Sequence, residues 1–209
     1  MLIEMGFEVT VPMSKTAFTI ADLTIQTRGY TTWPREERDL LWDTYSRTLV
    51  KGCKIVDTDG RVARVVEERL RSPKIWAPIY DAKPALSSLK KTGCLIGVVA
   101  DAESTLTDAL ENAGLSGYID TVTTSEEAGT EKPDPAIFRR AMEKSSLSPE
   151  RCVHVGDVPE LDVAGARSAG ITPVWLDRNR LARRIGDVAK IETLTELEFM
   201  FHIVPHGAP

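Results

Sequence analysis

Several features of secreted, membrane and nucleic-acid-binding proteins are scarce in this sequence. The three cysteines (Cys53, Cys94 and Cys152) are odd in number and form no Cys-x-x-Cys pair, which argues against a disulfide framework or a zinc site and is typical of a reducing compartment. The longest apolar run, CLIGVVA at 94–100, is too short to span a membrane. A net charge of −5 gives no basic stripe, so we expect no nucleic-acid partner.

The amino-terminal residues MLIEMGFEV include an acidic residue where a secretory signal peptide needs a basic one. We therefore predict a cytoplasmic protein with no membrane partner. The chain has 209 residues, of which 42% are hydrophobic, enough for one core plus a small accessory domain. Whether it is a monomer or a homodimer stays open.

The periodicity of the chain changes near residue 80. Residues 14–71 show helical spacing, as in Leu41, Tyr45 and Leu49, and only FEVTV at 7–11 alternates as a strand would. From residue 84 onward, helices alternate with short apolar runs, which is typical of a parallel sheet with crossover helices. We predict an α/β fold with a helical domain at 1–80 and an α/β core domain at 81–209.

Polar residues follow the predicted strands of the core. Ala100 and Asp101 follow CLIGVVA, Asp157 and Asp162 follow VHVG, and Lys132 lies in EKPDP. Ligands of open α/β sheets bind beyond the carboxyl ends of the strands. A lysine suits a phosphate group, and carboxylates suit a hard cation such as Mg²⁺.

Each of these residues also has an ordinary structural interpretation. Asp157 and Asp162 could cap a helix, and a lysine before a proline is usually solvated. His154 lies within an apolar strand, and we interpret it as a core histidine. What favours a ligand site is that the polar residues all fall at strand ends.

Three segments carry a family resemblance: GVVADAES, TSEEAGTEKPDPAIF and VHVGDVPELDVAGARSAGI. They resemble the second, third and fourth motifs of the haloacid dehalogenase-like (HAD) hydrolases, most closely the phosphatase-like branch with an N-terminal helical cap. The resemblance covers residues 1 to 190 and implies a Rossmann-like core, with a cap that closes over the site. It implies Mg²⁺-dependent hydrolysis of a small phosphorylated metabolite.

The resemblance assigns a role to each candidate residue. Lys132 falls where the family's lysine steadies the nucleophile and the phosphoryl group. Asp157 falls at a Mg²⁺ ligand, and Asp162 at a second carboxylate that supports the metal or its waters. Ala100 replaces the usual Ser or Thr that binds a phosphate oxygen, next to Asp101, whose backbone usually helps. The loss of one such donor lowers rates by about 10²-fold, which weakens a site without abolishing it.

The family's nucleophile signature, DxDx(T/V), does not occur in the chain. In the family this aspartate forms an aspartyl-phosphate. The nearest segment, TIADLTIQT with Asp22, lacks the second aspartate and lies in a helical stretch. We therefore predict that the first core strand is missing, leaving a seam between the strands at 94–100 and 151–155. We also predict that Mg²⁺ binding is weak or absent and that the 209-residue chain is inactive.

Three explanations for the missing signature stay open. An upstream segment carries it, the chain is a catalytically degenerate binding or interaction protein, or another residue or chain completes the site. Among active hydrolases, a 2-haloacid dehalogenase is the second candidate. The carboxylate pair favours a phosphatase, because phosphoryl transfer needs a metal and dehalogenation does not.

Overall fold

The computed structural model describes residues 2–28, 37–178, 180 and 185–200. The chain forms two compact units, Met1–Ile75 and Trp76–Pro209, which are described separately. The division into a cap at 1–80 and a core at 81–209 stays a prediction. No helix in the described ranges is long and apolar enough to cross a membrane, and the cytoplasmic location also stays a prediction.

The first unit is helical in its described part. Its helices are α1 (Val11–Arg28), α2 (Arg38–Gly52) and α3 (Arg61–Arg71). Their buried apolar residues, including Leu49, Val50 and Val66, form one core cluster. The strand expected at 7–11 is wrong, since α1 begins at Val11. Phe7 and Val9 pack against the helical cluster instead, so their apolar side chains are buried without a sheet.

The second unit alternates helices and strands, as predicted. Its elements are α4 (Ala82–Lys91), β1 (Gly97–Ala100), α5 (Leu106–Asn112), β2 (Thr121–Thr124), α6 (Ser125–Ala128), α7 (Pro135–Ser145), β3 (Val153–Gly156), α8 (Ala164–Ser168), β4 (Thr172–Leu176), β5 (Ala189–Ile191) and α9 (Leu197–Met200). A π-helical turn, Pro159–Val163, precedes α8. Short 3-10 turns of this unit occur at Ser116–Tyr118, Pro149–Arg151 and Leu194–Glu196, and a further one, Pro73–Ile75, ends the first unit. The α/β architecture is therefore confirmed, although β1 is shorter than the run CLIGVVA and β5 was not predicted.

The described strands form two parallel sheets, with strand orders β1-β2 and β3-β4-β5. Ala100 lies opposite Thr124 in the first sheet, and Gly156 lies opposite Trp175 in the second. Within the described part of the chain β1 and β3 do not pair, as expected, while the absence of a core strand between them stays a prediction.

One apolar cluster connects the two sheets of the second unit. It contains Ile137 and Phe138 of α7 together with Ala166 of α8, and Val99 of β1 packs against it. Asp134 caps α7 by accepting a hydrogen bond from the backbone N–H of Ala136 at 2.8 Å, as the Asp-Pro pair predicts. α7 begins three residues after Lys132, so the cap lies close to this lysine in the chain.

Candidate functional site

Asp162 is a buried carboxylate in the turn between β3 and α8, and the residue is 3% exposed. Its Oδ1 accepts a hydrogen bond from Lys132 Nζ at 2.7 Å and lies 3.2 Å from His154 Nε2. Its Oδ2 accepts from the backbone N–H of Val158 at 2.9 Å. Both oxygens are therefore bound by protein donors, as a buried charge requires.

A glycine lets Asp162 approach the end of β3. A Cβ at position 156 would lie 2.2 Å from the carboxyl carbon of Asp162, closer than atoms can pack. The GD pair of the sequence therefore has a steric reason as well as a chemical one.

Lys132 links the carboxyl ends of β1 and β3. Its backbone N–H donates to Asp101 Oδ1 at 2.8 Å, while its ammonium pairs with Asp162. The side chain is 14% exposed, so it is largely enclosed by the protein rather than solvated. The structure thus brings Asp101, Lys132 and Asp162 together, although their roles in binding stay predictions.

Asp157 and Ala100 are the two other predicted residues. Asp157 immediately follows β3 and is solvent-exposed, and its backbone carbonyl accepts a hydrogen bond from Trp175 Nε1 at 3.3 Å. Ala100 is the last residue of β1, directly before Asp101. An alanine side chain offers no hydrogen-bond donor, so the donor usual in the family is absent from this position.

The two aspartates after β3 differ in electrostatic environment. Burial alone would raise the pKa of Asp162, but the hydrogen bond from His154, the charge and hydrogen bond of Lys132, and the N–H of Val158 together lower it. Desolvation and then the negative charge of Asp162 raise the pKa of Asp157. Asp162 is therefore ionised at neutral pH and serves as the fixed counter-ion of Lys132.

The carboxylates at the strand ends do not form a complete metal site by themselves. No cluster of three or more His, Cys, Asp or Glu side chains in the described ranges is arranged to hold a cation. The oxygens of Asp162 already accept from protein donors, which leaves Asp157 as the accessible carboxylate of the pair. Mg²⁺ prefers six oxygen ligands and uses waters to complete them. The prediction of weak or absent Mg²⁺ binding therefore stays a prediction.

His154 contacts both the core and the candidate site, and the interpretation as a core histidine did not include the second contact. Its ring contacts Phe138 edge to face with centroids 4.9 Å apart, which is a core contact, but its Nε2 also reaches Asp162. Alternate residues of a strand face the same side. His154 and Gly156 are two apart in β3, so the spacing of the two residues was the available signal.

Two acidic segments of the first unit have structural roles. Asp22 Oδ1 accepts a hydrogen bond from Tyr45 Oη at 2.8 Å within the helical unit. The segment DTDGR at 57–61 has both aspartates of the nucleophile signature and departs from it only at Arg61, where Thr or Val is required, so it lies nearer to the signature than TIADLTIQT. The Asp57 carboxylate accepts from the N–H groups of Val62 and Ala63 at 3.1 and 2.9 Å, and so caps α3.

The second unit has a parallel α/β architecture of Rossmann type, with a lysine and carboxylates at its strand ends. The sequence pattern of the haloacid dehalogenase-like hydrolases matches residues 12–176, and the chain belongs to this family.

Two curated proteins are similar to this chain over part of their length. The Rhythmically expressed gene 2 protein of Drosophila melanogaster is 39% identical over 146 residues, which is 66% of this chain and 55% of that protein. The phosphoserine phosphatase of Thermus thermophilus is 37% identical over 118 residues, or 56% of this chain and 47% of that protein. The chain thus spans about half the length of the curated relatives it matches.

Solved structures support the fold. A HAD-hydrolase of Bacillus subtilis, YfnB bound to magnesium, has a TM-score of 0.74 at 20% identity, covering 96% of this chain and 87% of that chain. A HAD phosphatase of Thermococcus onnurineus has a TM-score of 0.61 at 25% identity, covering 91% and 90% of the two chains.

Proposed function

We propose that this chain carries the phosphate-binding part of a Mg²⁺-dependent phosphatase that acts on a small phosphate monoester through an aspartyl-phosphate. The observation that carries the proposal is the Lys132 ammonium, held by buried Asp162 at the carboxyl end of parallel strands. The phosphatase names of relatives such as the Thermus protein support the reaction class.

The position of Lys132 suits an anion. An ammonium has three N–H donors, and only part of this capacity is needed for Asp162 Oδ1. With the side chain 14% exposed, the local dielectric is lower than that of water, which strengthens the attraction for a phosphate dianion. The hydrogen bond from its backbone N–H to Asp101 limits how far the lysine can move.

We further propose that the 209 residues do not complete the reaction alone, because they contain no DxDx(T/V) signature. The loss of a covalent nucleophile lowers rates by about 10⁶-fold in a well-studied protease. Ala100, which supplies no hydrogen-bond donor, supports the alternative that the chain is a catalytically degenerate binding or interaction protein.

Binding of inorganic phosphate tests the proposal. Replacement of Lys132 by Met should weaken phosphate binding by about tenfold or more, the effect of losing a charged hydrogen bond. Replacement of Lys144 by Met is the matched control and should leave affinity unchanged, because Lys144 of α7 pairs with Glu127 of α6. Calorimetry at constant ionic strength measures both. Equal affinities for the Lys132→Met variant and the wild type would overturn the proposed phosphate site.

Hydrolysis of para-nitrophenyl phosphate with and without Mg²⁺ tests the second part. We expect no turnover by the 209-residue chain. Turnover at an ordinary enzymatic rate that Asp157→Asn abolishes would show that the chain holds a complete site.

Replacement of Ala100 by Ser restores a hydroxyl donor at the end of β1. We expect phosphate to bind about tenfold more tightly, since one added hydrogen bond to a charged group has this effect. Unchanged affinity would place the phosphate away from Ala100.

A further inference from the structure

We propose that His154 is a positioning residue, which fixes the Asp162 carboxylate and through it the Lys132 ammonium. The geometry that carries this inference is the shared acceptor: Asp162 Oδ1 receives Lys132 Nζ at 2.7 Å and lies 3.2 Å from His154 Nε2. The contacts stand by themselves, and only the consequence for phosphate rests on the proposed function.

The hydrogen bond between His154 and Asp162 determines which nitrogen of the imidazole carries a proton. An ionised carboxylate is an acceptor only, so Nε2 must carry the proton that it donates to Asp162. The second oxygen, Oδ2, accepts from the backbone N–H of Val158. His154 and Val158 therefore hold the two oxygens of the carboxylate from two different sides, and rotation about its Cβ–Cγ bond breaks at least one hydrogen bond.

The imidazole is itself held by close packing. Its ring meets that of Phe138 at 88°, with centroids 4.9 Å apart. Phe138 is 1% exposed, and a Cβ on Gly165 would lie 2.5 Å from its ring. A crowded phenylalanine thus restricts the histidine, and the histidine restricts Asp162.

Lys132 depends on this arrangement because its side chain is long and flexible. Four rotatable bonds separate its ammonium from the backbone, and the ammonium forms an ion pair with Asp162 Oδ1. If the carboxylate turns, the ammonium moves with it. A donor on His154 therefore determines where the positive charge lies at the strand ends.

The test compares two replacements of His154, one that lacks an N–H donor and one that keeps it. His154→Phe keeps an aromatic ring against Phe138 but removes the N–H group, whereas His154→Gln keeps an N–H donor of similar reach. Lysine ammonium groups give ¹H–¹⁵N NMR signals only where exchange with water is slow. A Lys132→Arg variant identifies the Lys132 signal, and urea unfolding confirms that each variant is folded.

We expect the Lys132 signal in the wild type and in His154→Gln. In His154→Phe the Asp162 carboxylate loses the donor that holds its Oδ1, the acceptor of Lys132 is no longer fixed, and the ammonium protons should exchange about tenfold faster or more, which broadens the signal. Unchanged exchange in His154→Phe, or equal loss in the Gln variant, would overturn the inference. If the Phe variant does not fold, His154→Met, which also lacks a donor, replaces it.

Inorganic phosphate separates this inference from the proposed function. Its affinity should fall by about tenfold in His154→Phe and recover in His154→Gln. If the wild type binds no phosphate, the proposed function fails, and the Lys132 signal alone decides the role of His154. If the wild type binds phosphate and all three proteins show the same Lys132 exchange, the positioning role fails and the phosphate site stands.

Discussion

Replacement of Asp162 by Ala should strongly destabilise the second unit. The residue is 3% exposed, and its loss removes an acceptor from Lys132, from His154 and from the N–H of Val158. Breaking a buried ion pair by removing one partner costs about 3–5 kcal/mol, and each neutral hydrogen bond contributes about 1 kcal/mol. Because these contributions overlap, we expect a loss of about 4 kcal/mol, a large fraction of a typical total of about 5–15 kcal/mol.

Urea unfolding followed by circular dichroism measures this loss as a lower midpoint at unchanged slope. The control is Asp134→Ala, which removes the cap of α7 and should cost about 1 kcal/mol. A cost for Asp162→Ala no larger than that of the control would refute the conclusion that Asp162 is the buried counter-ion of Lys132.

The stability lost in Asp162→Ala should depend on pH. The folded state lowers the pKa of Asp162, so its stabilisation is complete above the unfolded-state pKa of about 3.9 and is lost as the pH falls toward the lower folded-state pKa. The stability difference between the wild type and Asp162→Ala should therefore narrow as the pH falls below about 4. A constant difference between pH 2 and 7 would contradict this assignment.

Two further predictions concern the neighbours of Asp162. Gly156→Ala should cost about 1–3 kcal/mol in urea unfolding, because the new Cβ would lie 2.2 Å from the Asp162 carboxyl carbon; Gly117→Ala, with no atom within 4 Å of its Cβ, is the control and should change little. Asp157→Asn should become more stable relative to the wild type as the pH rises from about 4 to 7, because the raised folded-state pKa of Asp157 means that its ionisation opposes folding. A Gly156 variant as stable as its control, or an Asp157 variant without this gain, would contradict the geometry of the turn.

Elements whose signal is local could be predicted from the sequence. Asp134 and Pro135 predicted the start of α7 because the cap and the first turn are formed by adjacent residues. The alternation of apolar runs and helices predicted parallel strands, because a helix between two strands of one sheet carries the chain back to the edge where the first strand began. The prediction of a strand at FEVTV was wrong, because alternating apolar and polar residues form a strand only where a neighbouring strand can pair with them. Phe7 and Val9 pack against helices instead.

The sequence by itself placed Lys132, Asp157 and Asp162 at strand ends, because the direction of parallel strands carries all such ends to one edge of a sheet. The tertiary structure alone decided that Asp162 pairs with Lys132 and is bound by His154, and that Asp157 remains exposed. These contacts join residues up to 30 positions apart in the chain, so no local pattern encodes them. They depend on how closely α7 and the turn before α8 pack on β3, a distance set by side-chain volume in the core and by the missing side chain of Gly156.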